Sequence, residues 1–123
     1  MTLQIHEMSG IRVLEIAPSG PPIGSDRDAI DLIGKAAENK AEIVVVPSER
    51  LAAAFFDLKT RVAGEMIQKF SIYGVRLAIL GDIAAAVESS SAFRDFVRES
   101  KRGNTIWFVE DFESLRQRLL PAK

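Results

Sequence analysis

The sequence predicts one α/β domain with a mostly parallel sheet, and three observations carry that expectation. Runs rich in β-branched residues alternate with stretches whose apolar residues recur every three to four positions. One run, Ile43–Val46, is apolar at every position, as an interior strand covered on both faces requires. At the start, two short alternating segments flank Ser9-Gly10, which has the composition of a two-residue hairpin turn. The expected order over residues 1–123 is β-β-α-β-α-β-α-β-α, with an N-terminal hairpin and right-handed crossovers between parallel neighbours.

Each element has a local reason. Leu3 and Ile5 alternate with polar residues, and Ile11–Ile16 resumes after the turn. Pro18, Pro21 and Pro22 then remove backbone donors and end regular structure. Ser25 caps the first helix, with Asp28 in the capping-box position. Its apolar stripe is Ile30, Ile33 and Ala36-Ala37, and Asn39-Lys40 ends it. Pro47–Phe56 fits no regular pattern. Asp57 is expected to cap a helix from Leu58 to about Ser71, with Leu58, Val62, Met66, Ile67 and Phe70 on one face. Gly64 within it is read as a close-packing point against the sheet. Gly74 precedes the strand Val75–Leu80, and Gly81-Asp82 leaves that strand. Ile83–Glu88 and Ala92–Lys101 make one interrupted helix or two short ones, with Ser89, Ser90 or Ser91 as a cap. Gly103-Asn104 turns into the strand Thr105–Val109, and Asp111 caps a last helix, Phe112–Leu120, stopped by Pro121.

Composition narrows the function. The apolar fraction is 47%, the charged fraction 27% and the formal charge −1, ordinary for a compact domain and far from the basic excess of a nucleic-acid binder. There is no cysteine, so thiolate catalysis, Cys-ligated zinc and iron–sulfur clusters are excluded. No apolar run approaches the roughly 20 residues of a membrane span, and Met1–Ser9 lacks the features of a signal peptide. A cytoplasmic protein without membrane or nucleic-acid partners is the expectation. Phosphate loops, dinucleotide glycine fingerprints, zinc-hydrolase motifs and nucleophile elbows are absent.

Two resemblances follow from these residues. The element order, and the closing segments Phe93–Ser100, Ile106–Val109 and Phe112–Leu115, resemble the STAS domain (sulfate transporter and anti-sigma-factor antagonist). More closely, the chain resembles a bacterial family, domain of unknown function 4180. The matching segments are Pro47–Leu51, Phe55–Thr60, Ala63–Glu65, Gln68–Phe70, Leu77–Ile79 with Gly81-Asp82, and Asp95–Ser100. The STAS resemblance implies a regulatory module. STAS phosphoswitches carry a serine just after the aspartate that opens the central helix, but this chain has Leu58 there and its nearest hydroxyl is Thr60. The phosphoswitch therefore does not transfer.

The candidate site follows from the general rule that ligands gather where strand C-termini meet helix N-termini. Three such junctions carry polar residues: Ser48, Glu49 and Arg50; Asp57, Thr60 and Arg61; and Gly81 with Asp82. Arg50 or Arg61 could grip a carboxylate or phosphate through a bidentate fork. A structural reading stands beside it, in which Asp57 and Asp82 only cap helices and Arg50 pairs with Glu49. His6 has neither a second imidazole nor a cysteine to act with, and is read as structural. Asp26, Asp28 and Asp31 sit where the helix dipole and cap favour acids, without calcium-loop spacing. Arg94, Arg98 and Lys101-Arg102 form a stripe interleaved with Asp95 and Glu99, read as a solvated face. Of Phe55-Phe56, one ring is expected at a subunit contact.

The expected function is a non-catalytic, STAS-like regulatory or binding module, homodimeric, needing no metal or cofactor, with a protein partner or a small anionic ligand at this rim. The alternative is a small cofactor-free enzyme or small-anion carrier using Arg50, Asp57 and Asp82.

Overall fold

A computed structural model of the chain describes residues 3–100, 102–103 and 105–119. The expected turn residue Asn104, the stripe residue Lys101 and the helix-ending pair Leu120-Pro121 lie outside them. Strands β1 (Leu3–Met8) and β2 (Ile11–Ile16) pair antiparallel, Leu3 opposite Ile16 and Met8 opposite Ile11. Ser9 and Gly10 have φ of 53° and 80°, the two left-handed positions that a tight hairpin of this twist requires. Helix α1 (Asp26–Glu38) follows, then β3 (Ile43–Pro47), the short α2 (Ala53–Phe56) and α3 (Val62–Ile72). The order closes with β4 (Arg76–Leu80), α4 (Ala84–Ser89), α5 (Ser91–Ser100), β5 (Ile106–Val109) and α6 (Phe112–Leu119).

The five strands lie in the order β1-β2-β3-β4-β5, and every pair after the hairpin is parallel. The sheet's period of two sorts the core into two sides. Leu14, Ile16, Val44, Val46, Leu77, Ile79 and Ile106 face α1, α3 and Phe93 of α5. Val13, Ile43, Val45, Ala78, Trp107 and Val109 face Leu115 and Leu119 of α6. All five residues of β3 are buried, as its unbroken apolar sequence implies. On this second side the guanidinium groups of Arg118 and Arg76 lie over the Trp107 ring, 4.4 and 5.3 Å from its centre. Partial burial lowers the pKa of Arg118 from its ordinary value. No helix among the described residues is long and apolar enough to cross a membrane.

Caps behave largely as the sequence indicates. The Ser25 hydroxyl accepts from Asp28 N at 3.1 Å, and the Asp28 carboxylate accepts from Gly24 N at 2.9 Å, so the pair closes the first turn reciprocally. Ser90 separates α4 from α5 and accepts from Phe93 N at 3.1 Å. Asp111 accepts from Ser114 N at 2.8 Å, and that bond holds its carboxyl below the usual range.

Four local expectations are corrected. The inward face of α1 is Ala29, Leu32, Ile33 and Ala36, while Ile30 is 42% exposed, because the sheet selects the neighbouring stripe. The helix expected from Leu58 is broken. Asp57 accepts from Lys59 N, which closes a turn at Leu58–Thr60. The Thr60 hydroxyl lies 2.7 Å from the carbonyls of Ala54 and Asp57, and Arg61 stands at φ 66° before α3 begins. Side-chain bonds to nearby backbone thus outcompete the helix. Both rings of Phe55-Phe56 turn inward. Phe55 is fully buried, and Phe56 is half-buried and edge-on to Phe55 and Phe93.

Gly64 does not approach the sheet. A Cβ there would meet nothing within 4 Å, and the residue is exposed in the first turn of α3. Gly64→Ala should therefore stabilise the domain by about 0.5–1 kcal/mol through helix propensity and unfolded-state entropy, read as a higher urea midpoint at unchanged m-value.

Candidate functional site

Parallel pairing brings the C-terminal ends of β3, β4 and β5 to one edge, so Ser48, Gly81 and Glu110 leave the sheet side by side. Gly81 has φ of 133°, and a Cβ on it would lie 2.5 Å from the Ser48 hydroxyl. The two loops therefore touch, and only glycine fits between them. Asp82 follows, and its carboxylate accepts from Ala84 N at 2.8 Å.

Beside this contact lies a depression of about 550 Å³, within the range of small-molecule sites. Ile83, Ala84 and Val87 form one apolar wall, and Val97, Phe108 and Val109 the other. Asp82 and Glu110 stand at the strand ends, and no described Lys or Arg lines it. Glu110 and the apolar walls were not among the residues expected from the sequence. Glu110 follows β5 as Gly81-Asp82 follow β4, so the same strand-end rule applied to the last strand would have found it.

The remaining expected residues go elsewhere. Arg50 is 2% exposed, and its guanidinium donates to the carbonyls of Ala17 at 2.7 Å, Pro21 at 3.1 Å and Ser19 at 3.2 Å. It fastens the proline-rich loop across the end of the sheet, where Ile23 bridges to Leu51. It therefore does not present a fork for an anion, and the expectation that it does is corrected: its fork is already filled by backbone. Glu49 is exposed and makes no ion pair with Arg50. Asp57, Thr60 and Arg61 sit on the separate turn before α3. Arg61 lines a second, more open depression of about 480 Å³ with Gly64, Gln68 and Phe96. Of the eight expected residues, the structure joins Ser48, Gly81 and Asp82 at one place.

His6 bonds Glu15 at 2.9 Å and packs on Phe112 at 5.0 Å between ring centres. No group of three or more metal-ligating side chains occurs among the described residues.

The family model described as domain of unknown function (DUF4180) matches residues 8–119. The chain belongs to the DUF4180 family. The match spans β2 to β5 of this DUF4180 sheet and only Met8 of β1, and it includes both loops that meet at Ser48 and Gly81. No curated protein and no solved structure matches the chain significantly.

Proposed function

We propose that this DUF4180 domain is a non-catalytic binding module, acting in regulation through occupancy of the depression between Asp82 and Glu110. The observation that carries this reading is the pairing of apolar walls with two carboxylates and no facing cation. Such a lining suits an apolar group that ends in a cation, because the walls desolvate the hydrocarbon while the carboxylates stay at the mouth. The resemblance of the element order to STAS domains supports the regulatory part, and Leu58 after Asp57, where STAS phosphoswitches carry a serine, argues for control by binding rather than by phosphorylation. The alternative, a cofactor-free enzyme or small-anion carrier, has less support, because Arg50 is committed to backbone carbonyls.

The test is a heteronuclear NMR titration with 2-phenylethylammonium and, separately, 3-phenylpropionate. The ammonium compound should shift the amides of residues 82–84, Val87, Val97 and 108–110, with Asp82→Asn plus Glu110→Gln weakening it about tenfold or more. Preference for the carboxylate, or shifts centred on Arg61 instead, would count against this reading.

A further inference from the structure

β5 is an outer strand, and its open edge differs from that of β1. Leu77 N donates to Thr105 O at 2.7 Å and Gly81 N to Val109 O at 2.9 Å. In a parallel ladder those two bonds fix the alternation. The N–H and C=O groups of Ile106 and Phe108 therefore point away from the sheet, and among the described residues none of them has a hydrogen-bond partner.

Outer strands normally carry charge, proline or a bulge that discourages further pairing. The β1 edge carries Gln4, His6 and Glu7, whereas β5 reads Ile-Trp-Phe-Val. The side chains of Ile106, Trp107 and Val109 are buried in their own domain, so the edge offers backbone and the half-buried Phe108 ring. The ends of the segment have opposite charge: exposed Arg102 precedes β5, and exposed Glu110 and Asp111 follow it.

A strand of that polarity is complementary to itself when reversed. We propose that β5 pairs antiparallel with β5 of a second copy across a two-fold axis at Trp107, joining two five-stranded sheets into one. In this register Ile106 lies opposite the partner's Phe108, and the outward groups of both residues exchange hydrogen bonds in closely spaced pairs. Glu110 and Asp111 of each copy come beside the Arg102 end of the other. The α5 stripe finds a use as well. Arg94, Arg98 and Arg102 alternate with Asp95 and Glu99, and the internal ion pairs at 3.8 and 4.0 Å are long and exposed. Two such helices running antiparallel beside the joined strands present acid to base along their length. This inference rests on the β5 edge and the charges that flank it; Phe108 and Glu110 also line the depression, whereas Arg102 does not, so Arg102→Glu separates this reading from the proposed binding role.

Sedimentation velocity of the full chain across a micromolar dilution series tests it, with amide hydrogen exchange measured at both ends of the series. The expected result is a monomer–dimer equilibrium in which the Ile106 and Phe108 amides become protected as concentration rises. Arg102→Glu and Glu110→Lys lie on exposed positions that folding does not need. Each should weaken dimerisation about tenfold, and the double reversal should recover it. A monomer throughout the series overturns the proposal, as does a dimer whose Ile106 and Phe108 amides exchange freely.

Discussion

Arg50→Ala should cost about 3 kcal/mol and loosen the loop between β2 and α1. The side chain is fully enclosed, and its partners are three carbonyls rather than a carboxylate. Hydrogen bonds to a charged group contribute roughly 1.5–3 kcal/mol each, and breaking a buried charged interaction by truncating one partner costs about 3–5 kcal/mol. The lower end applies here because Pro18, Ser19, Gly20 and Pro21 are exposed, so freed carbonyls can turn toward water. A domain of this size is stable by only about 5–15 kcal/mol, so the loss is a large share. Arg50→Lys should recover a minor part, since an ammonium lacks the planar fork that reaches three acceptors at once. Urea unfolding gives the stability change, and hydrogen exchange at residues 17–24 shows where it falls. A cost under about 1 kcal/mol would mean that the loop is held by something other than the guanidinium.

The second large effect is expected at Gly81. Gly81→Ala combines a backbone conformation closed to alanine with a Cβ 2.5 Å from the Ser48 hydroxyl. Strain of this kind costs about 1–3 kcal/mol, and the contact forces the Ser48 loop to move as well, so about 2–4 kcal/mol is expected in total. Ser48→Ala separates the two causes. It removes the hydroxyl, leaving the Ser48 Cβ 3.5 Å from the added atom as the nearest side-chain neighbour, but it cannot relieve φ of 133°. In a double-mutant cycle the pair should therefore show coupling of about 1 kcal/mol, with the remaining loss unchanged. An equal penalty in both backgrounds would assign the whole effect to the backbone.

Both experiments concern residues placed at the rim by their sequence position, and both are expected to report stability first. That outcome shows how far the site was legible. Ser48, Gly81 and Asp82 converge because they follow neighbouring parallel strands, and parallel pairing was readable from the alternation of elements. Arg50 follows the same strand as Ser48 yet turns inward, because Ala17, Ser19 and Pro21, far upstream in the chain, supply carbonyls that no local pattern announces. Asp57, Thr60 and Arg61 looked like the opening turn of a long helix. The Thr60 hydroxyl instead bonds to Ala54 O, six residues back, and the chain turns before α3 starts.

The sequence by itself determined the α/β class, the hairpin, the buried interior strand and most helix caps, since each depends on residues a few positions apart. Tertiary structure decided the rest: which stripe of α1 faces the sheet, that Gly64 meets solvent, that both Phe55 and Phe56 turn inward, and where Arg50 points. The physical reason is range. Backbone preference and capping act within one turn of chain, whereas burial and the satisfaction of a charged group are settled by whatever distant segment packs alongside.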